Sequence, residues 1–143
     1  MVKPLDNAIV EKVYAEMRQG YTLLKEGKAD EAEPFFLRAW DMIPDPKFGW
    51  DISQITVIRI AKFYRDARKF PEALRWARDI FRCRPLPNDA EPYVVLGSIH
   101  LEAGELDAAR EQFQKAFELA GKRAFDGEDP KYLKFFKEKK SKG

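Results

Sequence analysis

Three stretches of the chain align on a short turn followed by an alanine: KEGKADEAEPFFLRAWDMIP (25–44), DARKFPEALRWARDIFRCRP (66–85) and EAGELDAAREQFQKAFELAG (102–121). The alanines are Ala32, Ala73 and Ala109. Apolar residues follow each at helical spacing: Phe36 and Ala39, Ala77 and Ile80, Phe113 and Ala116. Twelve residues after the alanine stands a residue that stops a helix, Pro44, Pro85 or Gly121. A chain that repeats one helix, one small contact and one stop three times must stack like units, because no single unit buries its apolar face alone.

A second helical pattern precedes each turn. In AEPYVVLGSIHLEAG (90–104), Tyr93, Leu96, Gly97 and His100 share a face; the matching slots hold Gly20 and Leu23 in the first repeat, and Ile60, Ala61 and Tyr64 in the second. Small residues at Gly20, Ala61 and Gly97 let one helix lie close against its partner, and the alanines leave the facing gap. The predicted helices run near 6–26, 30–43, 51–67, 71–83, 89–103, 106–120 and 130–140. Asp6, Asp51 and Asp107 suit N-caps or first-turn acids, and Pro71 suits a first turn. Pro34 is placed in the first turn of the second helix, where its cost is smaller.

From Val13 to Gly121 the LG…AGELDAA…F..A pattern resembles the tetratricopeptide repeat (TPR), a helix-turn-helix unit of about 34 residues. The second repeat departs from it: Arg68 stands where glycine usually makes the turn, and Ala77 replaces a large aromatic. Ala32 and Ala73 are 41 residues apart, and the seven residues beyond a standard repeat fall near PDPKFGW (44–50), whose prolines and glycine break a helix. The resemblance implies an all-α fold: a right-handed helical solenoid of three TPR-like repeats, about 13–46, 54–87 and 90–121. The expected capping segment is 122–143, all within a single domain, 1–143.

A solenoid leaves the last repeat with an uncovered apolar face. The stretch GKRAFDGEDPKYLKFF (121–136) supplies a cover: Asp129 is a natural N-cap, Pro130 a natural first residue, and Tyr132, Phe135 and Phe136 share a face with Leu133 beside them. Lys134, Lys137, Lys139 and Lys140 take the rest of that helix. The same run is similar to the ending of small bacterial TPR-like proteins, some of which resemble the immunity partners of toxins. Its five large apolar side chains also leave self-association through the cap open.

Composition narrows the function. With 26 basic and 24 acidic residues the net charge is +2, too small a surplus to argue for nucleic acid. His100 is the only histidine and Cys83 the only cysteine, so a histidine-rich metal site and an internal disulfide are excluded. No glycine-rich phosphate loop or paired-carboxylate motif appears. No catalytic residue, cofactor or metal is expected, and His100 reads as a packed structural side chain. The chain shows no signal-peptide pattern and no membrane-length apolar run, so the expectation is cytoplasmic, without membrane contact.

Proteins that resemble this one bind partners on a concave face built from the first helix of each repeat. Helical spacing places Tyr14, Met17, Tyr21 and Leu24 there, then Ile55, Ile58, Lys62 and Arg65, then Glu91, Val94, Ser98 and Leu101. Met17 and Tyr21 occupy two of the places where chaperone-tail binders carry lysine or asparagine, which argues against that ligand. The implied function is non-enzymatic binding of a specific protein. Its sharpest form is an immunity protein neutralising a bacterial toxin. The alternative is a scaffold or secretion-chaperone adaptor that holds short peptides in the groove.

Overall fold

The computed structural model describes residues 2–138. Its elements are α1 (Asn7–Lys25), α2 (Ala29–Asp41), α3 (Ser53–Asp66), α4 (Phe70–Asp79) with a 3₁₀ turn at Ile80–Cys83, α5 (Glu91–Glu102), α6 (Leu106–Ala120) with a 3₁₀ turn at Gly121–Phe125, and α7 (Pro130–Lys137). The fold is therefore all-α, paired helices of the solenoid kind closed by a C-terminal capping helix. Among the described residues there is no strand, only an isolated bridge between Lys3 and Trp50. Positions 139 and 140 of the predicted last helix, with Lys139 and Lys140, lie outside the described residues.

The contacts group the helices into two compact units, one ending at Pro85 and the other beginning at Leu86. The first holds two repeats, the hairpins α1–α2 and α3–α4, with α2 also packed on α3. The second holds the third repeat, the α5–α6 hairpin, with α7 and its preceding turn against α6.

One turn closes all three hairpins. Gly27, Arg68 and Gly104 have φ of 78°, 63° and 82°. The next residue's N–H then reaches back to the preceding helix: Lys28 to the Leu23 carbonyl at 2.9 Å, Lys69 to Tyr64 at 2.8 Å, and Glu105 to His100 at 2.8 Å. Glycine adopts this conformation freely, whereas arginine enters it at a cost of about 1–2 kcal/mol. The second repeat thus keeps the turn geometry without the turn residue.

Inside each hairpin, Ala32, Ala73, Ala109, Ala39, Ile80 and Ala116 are fully buried, as the spacing requires. Gly20 admits the ring of Phe36, since a Cβ there would stand 2.5 Å from Phe36 Cε2. Gly97 admits Phe113 in the same way, with a Cβ 2.5 Å from two ring carbons. At the corresponding positions the second repeat has Ala61 and Ala77, both fully buried, so one methyl on each helix replaces a glycine and a ring.

The two hairpins of the first unit are tied by apolar and polar contacts. Phe36 stacks on Phe63 with centroids 4.5 Å apart. The Tyr64 hydroxyl donates to Glu33 Oε2 at 2.6 Å; burial first, and this bond second, hold the phenol's pKa above its usual range. Between the hairpins the 44–50 insertion is pinned in place. Lys47 Nζ donates to the Trp40 carbonyl at 2.7 Å, Ser53 Oγ to the Lys47 carbonyl at 2.6 Å, and the Lys3 N–H to the Gly49 carbonyl at 3.1 Å.

Capping follows expectation at two ends and departs from it at two places. Asp6 Oδ1 accepts from the Ala8 N–H at 2.7 Å, and Asp129 Oδ1 from the Lys131 N–H at 3.0 Å. Asp51 is not a helix cap. Ile52 occupies that place in α3, and Asp51 Oδ1 instead accepts from the Leu5 N–H at 3.2 Å. Pro34 lies beyond the first turn, because α2 starts at Ala29; the helix nevertheless runs on to Asp41.

In the second unit the apolar ending predicted as a cap is one. Phe125 and Tyr132 are buried, and Leu133, Phe135 and Phe136 pack beside them against Ala109, Phe113 and Ala116. Phe113 is the hub, with ring centroids 5.3 Å from Phe125, 6.1 Å from Tyr132, 6.2 Å from Phe135 and 6.4 Å from Phe136. The Tyr132 hydroxyl reaches Glu102 Oε2 at 3.0 Å and joins the cap to α5.

Candidate partner-binding surface

The two residues with chemistry of their own are both engaged in structure. His100 Nδ1 lies 2.7 Å from Glu105 Oε1, closing the α5–α6 turn. Cys83 is buried; its burial, with a smaller contribution from Asp79, pushes the thiol pKa from 9.0 to about 11 against the opposing pull of Arg82. The arginines beside it in sequence therefore do not activate it. Among the described residues no group of three or more His, Cys, Asp or Glu side chains could hold a metal ion.

The Cys83 thiol should stay protonated and slow toward a thiol-exchange reagent at pH 8 in the native protein, and react fully once denatured. Because the folded pKa is the higher one, the stability contributed by the buried thiol is complete below pH 9 and is lost as pH rises through about 11. Following release of the reagent's chromophore with and without denaturant tests this. Rapid labelling of the native protein would place the thiol at the surface.

In the first unit, α1 and α3 present their first-helix face together. Tyr14, Tyr21 and Leu24 are half-buried on α1, and Ile55, Arg59 and Lys62 on α3. The Arg59 guanidinium lies over the Tyr14 ring at 5.4 Å. Tyr21 stands edge-on to Phe36 at 5.1 Å, and burial raises its phenol pKa while Arg59 and Arg65 pull it down and Asp66 pushes it up. Arg65 is 9% exposed, with Nε 2.8 Å from Asp66 Oδ1.

Several residues expected on an exposed inner face are core instead. Met17 is 1% exposed and Ile58 3%. On α3 the half-buried positions are Gln54, Ile55, Arg59 and Lys62; of the four expected there, Ile55 and Lys62 are among them, while Ile58 and Arg65 are buried and Arg59, next to Ile58, reaches the surface instead. In the second unit Val94 is 1% exposed and belongs to the Phe113 core, while Ser98 is fully buried with its hydroxyl donating to the Val95 carbonyl at 2.7 Å. Leu101 is half-buried against the same core, and Glu91 is exposed at the start of α5.

The sequence did carry a signal for α5: PYVVLGSI is apolar nearly all round, and such a helix is buried all round. Arg59 had a weaker one, its place at i+4 from Ile55 and i−3 from Lys62.

No helix of the described residues is long and apolar enough to cross a membrane. The chain matches no curated protein. Residues 90–123, which span the α5–α6 hairpin, match the model of the tetratricopeptide repeat. With the same turn closing α1–α2 and α3–α4, the chain has a tetratricopeptide-like helical repeat structure.

Proposed function

We propose that the chain is a non-enzymatic module that binds a protein partner through the α1–α3 face of its first unit. The observation that carries this reading is the pairing of aromatic and basic side chains there: Arg59 held over Tyr14, with Tyr21, Leu24 and Lys62 on the same face. Half-buried aromatics supply contact area at low entropic cost, and arginine supplies oriented donors. The partner segment that suits this face is partly apolar and carries carboxylates. Met17, Ile58 and Arg65 act from behind, as its support.

In its most specific form the partner is a toxin that this chain neutralises by covering a large surface, with opposite charge speeding the encounter. The adaptor reading differs in holding short peptides weakly. A tagged copy recovered from its own cells after a high-salt wash, compared with a Tyr14→Ala/Arg59→Glu/Lys62→Glu variant of unchanged helix content, separates them. One stoichiometric partner that the variant loses, and that is toxic alone, supports neutralisation. Weak peptide partners lost by the variant support the adaptor. Retention unaffected by the variant sinks the α1–α3 assignment, and mass that rises with concentration and no other protein bound points to self-association.

A further inference from the structure

Residues 68–84, which make up α4 and the turns at its two ends, hold six basic side chains, Arg68, Lys69, Arg75, Arg78, Arg82 and Arg84, against two acids, Glu72 and Asp79. Lys69 is taken up by Asp30 at 3.3 Å and Glu33 at 3.7 Å. The five arginines are all exposed. Asp79 reaches Arg82 at 3.8 Å, so the local acids offset only part of this charge.

Three of the arginines lie over aromatic rings: Arg68 over Phe70 at 5.0 Å, Arg75 over Trp76 at 5.3 Å, and Arg82 over Phe48 of the inserted loop at 4.1 Å. They are seven residues apart in sequence. Only Arg75 and Arg78 lie within α4: Arg68 sits in the left-handed turn before it and Arg82 in the 3₁₀ turn after it. Within α4, Arg78 follows Arg75 at i+3 and shares its side of the helix. A guanidinium already held over a ring loses little further freedom on binding a carboxylate, so this is a pre-ordered row of donors.

We infer that this arginine row is a second docking surface, one that takes an acidic segment of a partner protein. Charge complementarity selects an acidic occupant. A nucleic-acid strand is disfavoured because it places a phosphate at every nucleotide and rewards a broad basic field, whereas this chain's net charge is only +2. The row shares no residue with the α1–α3 face, and the two inferences stand or fall separately.

The probe is a fluorescein-labelled peptide with aspartate at every third position, followed by anisotropy at fixed low salt. It is compared with its asparagine counterpart and with an oligothymidine strand. The expected result is binding at least about tenfold tighter than the asparagine peptide. Arg75→Glu/Arg78→Glu should lose at least about tenfold, while Lys12→Glu/Lys25→Glu, the same charge change on α1, should leave binding unchanged. Arg75→Lys/Arg78→Lys should retain part of it. Circular dichroism confirms that each variant is folded. Equal binding of the asparagine peptide, preference for oligothymidine, or indifference to Arg75→Glu/Arg78→Glu overturns the inference.

Discussion

Phe113→Ala is expected to cost the second unit about 3–5 kcal/mol. The ring is fully buried, fills the space left by the missing side chain of Gly97, and touches four aromatics of the ending. Removing it leaves a cavity at the point where α5, α6 and the cap meet. Tyr132 is tied to Glu102 Oε2, 3.0 Å away, and cannot move into that cavity without losing the bond. Urea unfolding followed by far-UV circular dichroism reads the loss. Amide exchange should show α7 and the 121–125 turn opening first, since this ring is the one that Phe125, Tyr132, Phe135 and Phe136 share. The tryptophans, Trp40, Trp50 and Trp76, all lie in the first unit, so their fluorescence is a poor reporter of this change. A loss below about 1 kcal/mol would show that the cap holds α6 without the ring.

The helices were legible because their ends are chemically marked. Gly27 and Gly104 make the hairpin turns, Pro71 and Pro130 open helices, and Pro44 and Pro85 lie just past their ends. Period and small residues then identified the buried line through Ala32, Ala73 and Ala109. Arg68 shows why glycine alone is not a safe guide: its backbone takes the left-handed turn because the Lys69 to Tyr64 hydrogen bond and the packing of α3 on α4 compensate for the strain. Asp51 was misread because a capping residue and a residue that holds a distant strand of backbone look alike in sequence. Only the fold brings Leu5 to its carboxylate.

The surface was less legible than the core. A helix position shifted by one residue turns through about 100°, which moves a side chain from groove to core. That is the difference between Ile58 and Arg59. It cannot be resolved by periodicity when α3 carries apolar residues on more than one side, Val57, Ile58, Ile60, Ala61 and Phe63 all being buried. On α1, by contrast, the buried line Val13, Met17, Gly20 is narrow, and Tyr14 and Tyr21 are half-buried beside it.

Gly20→Ala is expected to destabilise the first unit by about 2 kcal/mol, although alanine is the better helix former. The gain in propensity is about 1 kcal/mol. Against it, the new methyl would stand 2.5 Å from Phe36 Cε2 and 2.7 Å from Cδ2. Phe36 has no room to retreat, being fully buried, stacked on Phe63 at 4.5 Å and met edge-on by Tyr21 at 5.1 Å. Overpacking of this kind costs about 3 kcal/mol. The second half of the test uses the chain's own alternative, the Ala61 and Ala77 pair of the second repeat. Phe36→Ala alone should cost about 3–5 kcal/mol. Combined with Gly20→Ala it should cost less than the sum by about 3 kcal/mol, because the clash disappears with the ring and the methyl fills part of its space. Urea unfolding of the two single variants and the double variant gives the coupling directly. Additivity within about 0.5 kcal/mol would mean that the backbone shifts to accept the methyl, and that close approach at Gly20 is not what fixes the α1–α2 pair.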